Sequence, residues 1–146
     1  MPVNTANGWW QFTAGAWTTG SSSLFTGGVG DAIADTGTTL LYLPDSIVTA
    51  YYKQVSGATY SSAWGAYVFS CSTQLPAFKV FIGGQVFTVP GSYINYGPIS
   101  QTQCYGGIQS NTGIGFTIFG DIFLKAVFAV FDQSQSSPRI GFASQS

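Results

Sequence analysis

Ala32-Ile33-Ala34-Asp35-Thr36-Gly37-Thr38-Thr39-Leu40-Leu41 sets one carboxylate inside an apolar frame. An apolar strand runs into Asp35, the chain turns through small residues, and a second apolar strand leaves. A carboxylate in that frame is desolvated unless hydroxyls and amides satisfy it. Thr36, Thr38 and Thr39 supply three hydroxyls, and Gly37 is permissive enough to aim backbone N–H groups at the acid. This is how a catalytic carboxylate is built. Asp, Thr and Gly are also common turn residues, so the triplet by itself reads as a turn, and the rest of the sequence has to decide.

The composition narrows the chemistry around that loop. The 146 residues suit a single domain, and 45% hydrophobic against 6% charged residues excludes disorder. Nineteen glycines and 16% aromatics point to an all-β protein with many turns. A net charge of −1, with Lys53, Lys79, Lys125 and Arg139 scattered, argues against nucleic acid and against an electrostatic membrane surface. The longest apolar region, 116–131, is interrupted by Gly120, Asp121 and Lys125 and cannot span a bilayer. Without histidine there is no Ser-His-Asp or Cys-His machinery, and two cysteines cannot build a thiolate zinc cluster. The acids are all aspartates, at 31, 35, 45, 121 and 132, so hydrolytic chemistry here must use aspartate. No metal or cofactor is expected.

Cys71 and Cys104, 33 positions apart in a Ser/Thr/Gly-rich chain, read as a disulfide formed in an oxidising compartment, with two buried thiols as the alternative. Met1-Pro2-Val3-Asn4 lacks the basic start and apolar core of a secretion signal, which suggests a mature fragment.

Along the chain, Gly8-Trp9-Trp10-Gln11-Phe12-Thr13 and Ala16-Trp17-Thr18-Thr19 have strand composition, and 20–30 reads as a Ser/Gly-rich turn region. Ile47, Val48, Tyr51, Tyr52 and Val55 form one helical stripe, opened by Pro44 and Asp45 and stopped by Gly57. Residues 56–65 read as a polar surface loop, and Tyr67-Val68-Phe69 as a strand leading to Cys71. Phe78–Ile82 and Gln85–Val89 around Gly83-Gly84 give the clearest hairpin signal. Tyr93-Ile94 begins another short element. Asp121 is placed to cap a short helix over 122–125, and 126–131 and 139–143 close the chain as strands.

The Asp35 stretch, taken with Ile118-Phe119-Gly120-Asp121-Ile122-Phe123-Leu124-Lys125, resembles the pepsin-like aspartic proteases. More narrowly, it is similar to the C-terminal lobe of the secreted fungal enzymes of the penicillopepsin and endothiapepsin group. The Trp/Phe strand, Asp35-Thr36-Gly37-Thr38-Thr39, Cys71 with Cys104, Gly106-Gly107-Ile108-Gln109-Ser110 and Ile118-Phe119-Gly120-Asp121 occur in the family's order. The resemblance covers nearly all of 1–146 and implies a single all-β, pepsin-like lobe with one or two short helices.

It also implies roles. Asp35 matches a catalytic aspartate. Thr36 matches the hydroxyl that locks the two lobes together, and Gly37 and Thr38 support the carboxylate. Gly37, Thr38 and Thr39 match contacts to extended substrate. Ile33, Ile114 and Phe116 are candidates for substrate pockets, with core packing as the alternative.

The family's reaction uses two aspartates that share one proton, because like charges so close cannot both ionise; the pepsin dyad is the standing example of this effect. This chain has one D-T-G and lacks the lobe that carries the flap tyrosine. It is therefore expected to be half of an acid endopeptidase with little activity alone, its partner being the N-terminal lobe or a second copy, and its substrate a peptide or protein. Two alternatives stand beside this: an active homodimer in which two Asp35 loops meet, and a noncatalytic all-β binding module. For the homodimer, the Gly83-Gly84 hairpin is the only candidate flap, and it has no tyrosine at its tip.

Overall fold

A computed structural model describes residues 10–20, 27–133 and 139–144. In chain order the first elements are β1 (Trp10–Ala14), β2 (Trp17–Thr19), β3 (Gly30–Ala34), β4 (Leu41–Leu43) and helix α1 (Asp45–Tyr52). There follow β5 (Thr59–Ser61), β6 (Ala66–Ser70), β7 (Phe78–Ile82), β8 (Gln85–Val89), a single turn α2 (Gly91–Ile94) and β9 (Asn95–Pro98). The last are β10 (Gln103–Gly106), β11 (Ile108–Ser110), β12 (Thr117–Phe119), α3 (Asp121–Leu124), β13 (Val127–Asp132) and β14 (Arg139–Ser144). The fold is an all-β, pepsin-like lobe with three short helices among the described residues, one more than the sequence suggested. Gly8, Trp9 and most of the 20–30 turn region lie outside the described residues.

One sheet organises the rest, with strand order β1-β3-β12-β4-β11. β3 and β4 flank the Asp35 loop, yet they are not neighbours: β12 lies between them, parallel to β3 and antiparallel to β4. Strand alternation divides the side chains between two faces. Phe12, Ala32, Ala34, Phe119, Leu41 and Ile108 point into the hydrophobic core. The registers align Gln11, Ile33, Ile118, Tyr42 and Gln109 in a row across the opposite face.

Two further sheets, β2-β7-β8 and β5-β6-β10-β9, and the β13–β14 ribbon pack around this one. Phe142 of the ribbon sits 5.3 Å from Phe12, 5.4 Å from Phe123 and 6.1 Å from Phe87 between ring centroids. One ring thus ties three layers together, at separations typical of favourable edge-on aromatic contacts. The outer face of the ribbon leaves Phe128 61% and Val130 60% exposed. Cys71 and Cys104 are joined, Cα to Cα 5.0 Å, beside the β6–β10 ladder.

The helical stripe is buried as its period requires: Ile47, Val48, Tyr51 and Tyr52 face the core. Burying the two aliphatic side chains contributes about 1.5–3 kcal/mol each. The helix ends at Tyr52 rather than running on toward Gly57, and the following turn carries Val55 into the core.

Two expectations need correction. The 56–65 segment is not all loop, because Thr59–Ser61 pairs with β6 as an edge strand. Thr59 and Tyr60 are exposed, so no apolar pattern marks that strand; its order comes from the ladder. Asp121 is not a cap: Gly120 holds that position and no side chain bonds there. The backbone amides of Asp121 and Ile122 donate instead to the carbonyls of Thr38 and Thr39, at 2.8 and 2.9 Å.

Tyr51 and Tyr52 donate their hydroxyls to the carbonyls of Pro76 (2.7 Å) and Ile108 (2.6 Å), fastening α1 to the 73–77 connection and to β11. Burial raises both phenol pKa values well above the ordinary one. A phenol whose folded pKa exceeds its unfolded value contributes stability that is complete below the unfolded pKa, about 10. That stability is lost as pH rises from there through the folded value. The lobe is therefore expected to unfold in alkali, with two tyrosines ionising only as unfolding proceeds. An absorbance titration in which every phenol ionises near pH 10 without loss of structure would refute this.

Candidate active site

Ala32, Ile33 and Ala34 are buried, and Asp35 follows them half-buried where the strand leaves the sheet. Gly37 donates its backbone N–H to Asp35 Oδ1 at 2.9 Å, and the Thr38 hydroxyl donates to Oδ2 at 2.7 Å. The Asp35 N–H donates to the carbonyl of Phe119 at 3.2 Å, so β12 holds the backbone of the acid while its loop holds the carboxylate. One donor reaches each oxygen, and an ionised carboxylate has about four lone-pair sites, so each oxygen keeps accepting capacity.

The floor of the loop requires glycine at 120. A Cβ built there would stand 2.3 Å from the carbonyl oxygens of both Thr38 and Leu40. Beyond it, the Asp121 and Ile122 amides complete the loop from below.

Thr36, Gly37 and Thr39 are exposed. Ile33 is buried between Gln11 and Ile118 in the row on the sheet face opposite the core. Ile114 is half-buried and Phe116 is 40% exposed. The structure does not bring these two beside Asp35: β12 sets Thr117 opposite Ala32, which makes Phe116 level with Asp31, four residues before the acid.

No second carboxylate hydrogen-bonds to Asp35 among the described residues. Asp31 accepts from Thr13 at 2.9 Å, and Asp132 pairs with Arg139 at 3.0 Å. Asp35 can accept a proton or orient a water, but among the described residues no carboxyl group bonds to it to complete a proton-sharing pair. No group of three metal-ligating side chains occurs among the described residues, and no described helix is long and apolar enough to cross a membrane.

Sequence reasoning assigned no role to Gln109. It is buried, its amide oxygen accepts from the Tyr67 N–H at 3.0 Å, and its amide nitrogen donates to the carbonyls of Gly106 (2.8 Å) and Tyr67 (3.2 Å). It welds β11 to β6. A glutamine between Ile108 and Ser110 at the end of a glycine pair was the one available signal.

Thr38→Val keeps the shape of the side chain and removes one hydrogen bond to a partly exposed charged acceptor. The expected loss is about 1 kcal/mol, at the lower end for such bonds because water screens the carboxylate. A urea midpoint unchanged from the parent would show that the Thr38 hydroxyl is dispensable.

A family model described as eukaryotic aspartyl protease matches residues 1–145. Penicillopepsin-1 of Penicillium janthinellum is 56% identical over 144 residues, covering 98% of this chain and 43% of the relative. Aspergillopepsin-1 of Aspergillus fumigatus is 53% identical over 145 residues, 98% of this chain and 36% of the relative. Endothiapepsin of Cryphonectria parasitica is 50% identical over 145 residues, 98% and 34% respectively. The chain thus spans between about a third and two fifths of the length of these curated relatives.

Proposed function

The chain belongs to the eukaryotic aspartyl protease family, and from that premise we propose that it is one catalytic half of an acid endopeptidase. The whole of 1–146 acts as a single lobe that supplies Asp35 and one wall of a peptide cleft. The observation that carries this reading is a single carboxylate held by Gly37 and Thr38, to which no other carboxyl group hydrogen-bonds among the described residues.

Peptide hydrolysis by aspartate needs a base to take a proton from water as its oxygen attacks the carbonyl. It also needs an acid to protonate the carbonyl oxygen. Two carboxylates sharing one proton provide both, because proximity keeps one of them protonated. Asp35 serves as one member, and the other comes from the N-terminal lobe of the same protease. Thr36 is the hydroxyl that faces that lobe. Gly37, Thr38 and Thr39 contact the substrate backbone, Ile33 lines a pocket close to Asp35, and Ile114 with Phe116 contact substrate further out. The disulfide supports a secreted parent enzyme.

The test uses an unfolded protein substrate at acidic pH, with and without a statine-type inhibitor. The chain alone is expected to give no inhibitor-sensitive cleavage. Joined behind the N-terminal portion of an aspergillopepsin, it should cleave, and Asp35→Asn should abolish that activity. Inhibitor-sensitive cleavage by the chain alone, lost in Asp35→Asn, would instead establish a self-sufficient dimer. The isolated chain should also associate with rising concentration through the Asp35 face, since its low charge offers little repulsion. A strictly monomeric mass at high concentration rejects that part.

A further inference from the structure

The row of side chains on the sheet face opposite the core, in which Ile33, Ile118 and Gln109 are buried, ends at a cleft. Ile33, Ile118, Tyr42 and Gln109 are neighbours on successive strands. At about 4.8 Å per strand, Gln109 stands about 14 Å across the sheet from Ile33. An extended peptide covers that distance in about four residues at 3.3–3.6 Å each. Asp35 continues the alternation of β3, so it belongs to the same face as Ile33.

At the far end lies a cleft of about 470 Å³ lined by Asp45, Tyr60, Tyr67, Gln109, Ser110 and Thr112. Its chemistry is selective. Asp45 is exposed, is its only charged group, and makes no hydrogen bond or ion pair with any described residue. No basic side chain is among the residues that line the cleft. Tyr60 and Tyr67 form an aromatic corner, rings 5.5 Å apart at 69°, with Tyr60 59% exposed. The Ser110 and Thr112 hydroxyls lie 2.9 Å apart and bond each other, leaving oxygen lone pairs free. Gln109 has both amide N–H groups engaged by Gly106 and Tyr67 and its oxygen accepts from the Tyr67 N–H, so it chiefly shapes the cleft.

An anion, the exposed Tyr60 ring and hydroxyl oxygens, with no competing cation, are the complement of an ammonium or guanidinium group. A carboxylate side chain would be repelled by Asp45. We propose that this cleft receives a lysine or arginine side chain of the bound peptide, with Asp45 as its counter-ion. The assignment to a peptide rests on the function proposed above; the cation site does not.

Amide spectra of the full ¹⁵N-labelled chain at low ionic strength separate the two. The first probe is N-acetyl-lysine methylamide, compared with its uncharged counterpart N-acetyl-norleucine methylamide. The lysine probe should shift Tyr67, Ser110 and Thr112, with affinity roughly five- to tenfold above the norleucine probe. That preference should vanish in Asp45→Asn, shrink in Tyr60→Leu, and weaken with salt. Both positions are exposed, and thermal unfolding verifies the fold of each variant. Equal affinity for the two probes, or a preference that survives Asp45→Asn, overturns the cation site. An extended peptide bearing lysine at one end is then added, and should shift Gly37 and Thr38 as well. If lysine alone binds the cleft but the extended peptide leaves Gly37 and Thr38 unmoved, the cation site stands and the peptide-cleft reading falls. If the peptide shifts Gly37 and Thr38 equally with lysine or norleucine, the peptide-cleft reading stands and the cation site falls.

Discussion

Gly120→Ala is expected to destabilise the lobe by about 3 kcal/mol, the upper end for inserting a methyl group into a filled site. The methyl carbon would stand 2.3 Å from two carbonyl oxygens, those of Thr38 and Leu40. Neither is the end of a flexible side chain, so relief requires moving the backbone of the Asp35 loop. The same shift would lengthen the bonds from Asp121 and Ile122 to Thr38 and Thr39. Denaturant unfolding gives the stability loss, and the Gly37 and Thr38 amide shifts report the displaced loop. Gly141→Ala is the control: nothing lies within 4 Å of its Cβ and the backbone there is ordinary. A Gly120→Ala midpoint indistinguishable from that of Gly141→Ala would mean the loop tolerates displacement, and the account of its floor would be wrong.

Reducing the Cys71–Cys104 bond is the second large effect, about 4 kcal/mol if the constraint on the unfolded chain dominates. The closed segment holds β7, β8, α2 and β9 together with the start of β10. None of the hydrogen bonds that hold the Asp35 loop begins or ends inside it. The partners are Gly37, Thr38, Phe119, Asp121 and Ile122. Reduction should lower the guanidinium midpoint while amide exchange at Gly37 and Thr38 stays limited by global unfolding. Early, independent opening of the loop on reduction would contradict this, and a stability loss below about 1 kcal/mol would place the bond among the weakly contributing ones.

The local signals in the sequence translated well wherever they were periodic. Phe78 to Val89 folds as the hairpin its alternation and Gly83-Gly84 demand, with φ of +60° and +84° at the two glycines. The stripe from Ile47 to Tyr52 is buried as a stripe. What stayed hidden was pairing at long range. Nothing local says that β12 inserts between β3 and β4, since its three residues could neighbour any apolar strand. β5 was invisible because its residues bury almost nothing. The Asp45 cleft draws on four separated stretches, around residues 45, 60, 67 and 110, and only the folded chain brings them to one place.

The loop that carries Asp35 lends its carbonyls to the first amides of α3, and this orders events in time. Thr38 and Thr39 acquire those partners only from a segment about 80 residues later. Parallel pairing over such a separation is slow, because the loop entropy is lost before the contact forms. During synthesis at about 5–20 residues per second, the aspartate emerges and waits roughly 4–16 s before its supporting helix exists. A nascent chain halted before β12 would hold every atom of the D-T-G triplet in a conformation no better defined than a surface turn. The loop is complete only once the segment carrying α3 has been made, about 80 residues after the aspartate itself.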